Sequence, residues 1–73
     1  MTTLTVHLER PDLVDDLVDS FHESGCAAHR SGPRSCTIEH ASAASEHEAR
    51  AEVVFFLRAW QARHGFARAL LAP

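Results

Sequence analysis

His7, His29 and Glu39 carry the side chains in this sequence best suited to binding chemistry, and their spacing puts them on one surface. Leu4, Val6 and Leu8 alternate with Thr3, Thr5, His7 and Glu9, while Cys36 and Ile38 alternate with Thr37 and Glu39. Successive strand side chains point to opposite faces, so Thr5, His7, Glu9, His29, Thr37, Glu39 and Arg68 are expected to share the polar face of a sheet. Imidazole and carboxylate are ligands for zinc or another first-row metal, and they also form an acid–base pair. His7, His29 and Glu39 are therefore the ligand or metal candidates. A solvated sheet face needs polar residues anyway, and these three follow no fixed ligand spacing. No cofactor is expected, and zinc or a similar metal stands as the alternative.

Other reactive groups are sparser. Cys26 and Cys36 form neither a Cys-x-x-Cys motif nor a disulfide framework, and both read as buried free thiols. There is no Gly-x-Gly-x-x-Gly, phosphate loop, Gly-x-Ser-x-Gly elbow or His-Glu-x-x-His, which favours binding over catalysis. Arg30-Ser31-Gly32-Pro33-Arg34 offers two guanidiniums to an anion but reads first as a turn. Asp12, Asp16, Asp19 and Glu23 fall within about 60° of one another in helical projection, an acidic ridge whose simplest role is a solvated face.

The elements that position these groups are legible in order. Leu4–Leu8 is a first strand. Pro11 and Asp12 open a helix over 11–24 that keeps Leu13, Val14, Leu17, Val18 and Phe21 on one side and stops at Gly25. Residues 26–29 and 35–40 form a hairpin around the Arg30–Arg34 turn. Pairing Ala28 with Cys36 and Cys26 with Ile38 puts every apolar side chain on one face. A small polar connector at 42–45 leads to the capping box Ser45-Glu46-His47-Glu48 and a second helix ending at His64-Gly65. Ala49, Val53, Phe56, Leu57 and Trp60 form its core stripe, and Phe66–Leu71 is a last short strand.

This is one α+β domain spanning 1–73 with the order strand, helix, strand, strand, helix, strand. Two right-handed crossovers bring strands one and three to the centre of a four-stranded antiparallel sheet with both helices on one side. The βαββαβ pattern resembles the ferredoxin-like, or ACT-like, plait. That resemblance is topological and implies no activity.

A chain of 73 residues hides only about 60% of its unfolded surface. Its stability is therefore about 4 to 11 kcal/mol, and truncating Phe56 or Trp60 to Ala, at roughly 3 to 5 kcal/mol, is expected to unfold it. A second apolar strip on helix two, Ala51, Phe55, Ala59 and Ala62, is either a groove filled by helix one or a surface for a second copy, and the open sheet face near Phe66 and Leu70 is another candidate interface; a homodimer is the expectation. A net charge of −3 argues against nucleic acid as a partner, and the lack of a long apolar run argues against a membrane. A cytoplasmic setting follows as the expectation. The reading favoured by sequence is a non-enzymatic ligand-binding, regulatory or protein-interaction module; a small metal-binding protein or enzyme using the His/Glu face is the alternative.

Overall fold

A computed structural model describes residues 2–41 and 44–73. Met1 lies outside the described residues, as do Ser42 and Ala43 of the expected polar connector. The elements run β1 (Thr2–Leu8), a 3-10 turn (Pro11–Leu13), α1 (Val14–Glu23), β2 (Ala27–Gly32), β3 (Ser35–His40), α2 (Glu46–Arg63) and β4 (Ala69–Leu71). They form an α+β structure in which a four-stranded sheet has the order β2-β3-β1-β4 and every neighbouring pair is antiparallel. As expected, β1 and β3 are central.

The helix ends follow local rules. Ser45 accepts the Glu48 backbone N–H at 3.1 Å and so caps α2. At the end of α1, Gly25 takes φ +93°, its N–H reaches His22 O, and the Cys26 N–H reaches Phe21 O. A left-handed residue after a helix closes the last turn in this way.

One apolar cluster joins the sheet to both helices. Leu4, Val6, Leu8, Ala28, Cys36 and Ile38 from one sheet face meet Val14, Leu17 and Phe21 of α1 and Ala49, Val53, Leu57 and Trp60 of α2. Trp60 is the largest fully buried side chain. Its indole N–H donates to Asp16 Oδ1 at 2.9 Å, meeting the need of a buried donor for a partner. Phe56 departs from the expected core stripe. It is half-buried at the rim, stacked on Phe21 with ring centroids 4.3 Å apart, so Trp60 rather than Phe56 is the anchor of α2.

Two further expectations are corrected. The hairpin is tighter than the sequence suggested: β2 continues to Gly32, only Pro33 and Arg34 form the turn, and a bulge lies between Arg30 and Gly32. Ala28 therefore opposes Ile38, and Arg30 opposes Cys36. This register is offset by two residues from the expected one, and because strand side chains repeat every two residues the same face turns inward, although Cys26, expected to be buried, is only half-buried at the edge of the core. The last strand is shorter than expected because Gly65 and Phe66 both adopt positive φ, 66° and 59°. The chain completes that reversal before pairing begins at Ala69.

Burial alone pushes the Cys36 thiol from 9.0 up to about 11. A group whose folded pKa is raised contributes stability that is complete below the unfolded value and is lost as pH rises through the folded one. The chain contains no Lys and no Tyr, the other side chains that ordinarily lose protons in this interval. Urea midpoints should fall as pH rises from about 9 to about 11, and Cys36→Ala should lose most of that fall. An undiminished fall in the variant would place the effect elsewhere.

Candidate functional site

The sheet face away from the helices carries the expected polar residues, and the register sets their separations. His7 opposes Ser35 on β3 and Leu70 on β4, while Glu39 opposes Thr3 on β1 and Ala27 on β2. His7 and Glu39 thus sit on adjacent strands but four positions apart, about 13 Å at the rise of an extended chain. His29 opposes Thr37, which makes it a diagonal neighbour of Glu39, with Cβ atoms about 7–8 Å apart. From His7 it is separated by an intervening strand and two positions, about 12 Å. The face brings His29 and Glu39 within reach of one another and leaves His7 alone. Among the described residues, no group of three or more His, Cys, Asp or Glu side chains is placed to hold a metal ion. Glu9 and Arg68 are exposed beyond the strand ends and are joined through their backbones, Glu9 N–H to Arg68 O at 3.1 Å.

Two members of the acidic ridge, Asp12 and Asp16, and one guanidinium of the turn, Arg30, are engaged within the fold. The Arg10 guanidinium, 2.6 Å from Asp12, holds that carboxyl below the usual carboxylate range. Asp16 accepts from Trp60 and lies 3.0 Å from His64 Nε2, while His64 Nδ1 donates to Trp60 O and its ring stacks on the indole. Arg30 donates to Pro11 O at 3.0 Å and Pro33 O at 3.2 Å and approaches Asp15 at 3.4 Å, tying the hairpin to the start of α1. Those donors are therefore occupied.

All six interface candidates, Ala51, Phe55, Ala59, Ala62, Phe66 and Leu70, are exposed. Helix α1 does not cover the second strip of α2. Phe55 and Phe66 are each 78% exposed and Leu70 is 70% exposed. Phe55 separates a groove of about 720 Å³, running between α2 and β4, from a hollow of about 490 Å³ lined by Ala51, Glu52, Phe56 and Ala59. Glu48 and Arg58 are exposed on the same helix, toward its opposite ends.

A third arrangement escaped the sequence reading. His40, only 12% exposed, places Nε2 at 2.6 Å from Glu52 Oε2. Both line a cleft of about 170 Å³ with Phe21, Ser24, Cys26, Val53 and Phe56. The expected register set Cys26 against Ile38, which separated it from His40. The two-residue turn at Pro33 and Arg34 does not by itself give this register; the bulge between Arg30 and Gly32 shifts it by one, and no local signal in the sequence marks that bulge.

Compared with known protein families, curated proteins and solved structures, the chain matches none.

The spacing on the open face gives a direct expectation for zinc. His7→Ala should leave zinc affinity, measured by competition with a chromophoric chelator, unchanged within twofold. A tenfold loss would put His7 in a site that its separation from Glu39 and His29 does not build.

Proposed function

We propose that the chain is a ferredoxin-like plait that acts as a non-enzymatic homodimeric binding module, with a second copy packed antiparallel along the outer face of α2. The observation that carries this reading is Phe55, a large aromatic 78% exposed in the middle of a strip otherwise built of Ala51, Ala59 and Ala62. Small residues beside one bulky ring create a knob and a hollow on the same surface. A two-fold axis lets each copy fill the other's hollow.

Charge supports the antiparallel sense. The first turn of α2 carries Glu46 and Glu48, and its second half carries Arg58 and Arg63. Opposed helices bring Glu48 of one copy toward Arg58 of the other and align the helix dipoles head to tail. The strand order β2-β3-β1-β4, with antiparallel neighbours throughout, supports the plait. No helix among the described residues is long and apolar enough to cross a membrane. Two free thiols, Cys26 and Cys36, agree with a cytoplasmic setting. This packing leaves the polar face of β1 and β3 open for a ligand or protein partner.

Sedimentation velocity across a micromolar concentration series tests the reading. The parent should sediment as a dimer and Phe55→Asp as a monomer with an unchanged circular dichroism spectrum, because Phe55 contributes little to the core. Arg58→Glu should weaken dimerisation at least tenfold, and adding Glu48→Arg should restore it. A parent that stays monomeric at several hundred micromolar would overturn the proposal.

A further inference from the structure

The cleft at the edge of the core, beside the C-terminal end of α1, holds a thiol, an imidazole and a carboxylate in sequence. In the β2–β3 ladder Ala27 opposes Glu39 and Ala28 opposes Ile38. Extending that register by one residue sets Cys26 opposite His40, on the same face as buried Ala28 and Ile38. Directly opposed residues have Cβ atoms about 4.5–5.5 Å apart, within the reach of a thiol and a ring nitrogen that close on each other when a substrate arrives. Glu52 accepts from the far side of the ring at 2.6 Å. With Nε2 carrying the hydrogen that Glu52 receives, Nδ1 is left with its lone pair for the thiol.

The surroundings define what the thiol would meet. Phe21, Val53 and Phe56 wall the cleft with apolar surface, and Ser24, His40 and Glu52 supply its polar atoms. Its volume of about 170 Å³ equals five or six times the share of one liquid water, about 30 Å³ each, enough for a short apolar chain and too little for a nucleotide or a peptide. Cys26 is half-buried and borders this space, whereas Cys36 lies in the closed core.

We propose that Cys26 is an acyl-acceptor site, taking a short acyl group from a thioester with His40 as its base and Glu52 as the residue that positions His40. His40 Nδ1 takes the proton from Cys26 Sγ as the sulfur attacks the thioester carbonyl carbon. The carbon–sulfur bond to the departing thiol breaks, and that thiolate recovers the proton from His40. One thioester and one thiol are consumed, and one thioester and one thiol are formed, with no change of oxidation state. The product is a single acyl group on the chain, a modification rather than a turnover, so the proposal stands beside the dimeric binding role without requiring it.

Incubating the full chain with the butyryl thioester of N-acetylcysteamine, followed by intact mass and peptide mapping, tests this. One butyryl group should appear on Cys26, none on Cys36, and none in Cys26→Ser. His40→Gln should slow the reaction about a hundredfold, the lower end of what a positioned base contributes. Glu52→Ala should slow it, and Glu52→Gln, whose amide oxygen can still accept from Nε2, should recover most of the rate. If His40→Gln fails to fold by circular dichroism, the half-exposed Glu52 pair decides alone. No acylation of the parent, or a Cys26 rate equal in parent and folded His40→Gln (with Glu52 variants equal where that variant does not fold), would overturn the proposal.

Discussion

The hydrogen bond from the Trp60 indole to Asp16 sets how α2 lies on the rest of the molecule. Trp60 brings the largest apolar surface in the core, but its ring also carries a donor, and a buried donor left without a partner costs about 1–3 kcal/mol. The partner comes from the first turn of α1. A helix can bury an apolar stripe over a range of rotations about its axis; a directional bond near one end narrows that range sharply. His64 reinforces it by stacking on the indole and approaching the same carboxylate.

That rotation determines what each side of α2 presents. With Ala49, Val53, Leu57 and Trp60 turned inward, Phe55 and its Ala neighbours must face away from the core. Phe56, one residue on, is carried to the rim over Phe21, and Glu52 is carried to His40 at the end of β3. On the side toward β4, Arg50 donates to Ala72 O and Gln61 to Ala67 O, fastening a strand only three residues long that would pair weakly by itself. The dimer strip and the thiol cleft are thus two flanks of one helix, set by the same anchor.

Much of this was legible in the residues because it depended on local rules. Alternation around Leu4–Leu8, the Pro11 start, the Ser45 cap and the two helix-terminal glycines each follow from chemistry within a few positions, and the elements fall close to where those signals put them, except that the first turn of the helix expected over 11–24 is a 3-10 turn at Pro11–Leu13 and α1 begins at Val14. What depended on long-range geometry was not. The hairpin register turned on whether Arg30–Gly32 belonged to the turn or the strand, and both choices bury the same face, so the hydrophobic pattern could not separate them. The His7–Glu39 separation and the meeting of Cys26 and His40 in one cleft both depend on pairing offsets. Asp16 read as one member of an acidic ridge because a helical projection shows which residues are neighbours along α1 and nothing of the indole 44 positions away.

A double-mutant cycle on Asp16→Ala and Trp60→Phe, read by urea denaturation, tests the anchoring of α2 most directly. Trp60→Phe removes the donor while keeping an aromatic ring, and Asp16→Ala removes the acceptor, so the cycle cancels the change in packing and retains the bond. A coupling energy of about 1–2 kcal/mol is the expected result, the range for a partly exposed hydrogen bond to a carboxylate. Additive effects, with coupling below about 0.3 kcal/mol, would contradict the account, since α2 would then owe its setting to apolar packing alone.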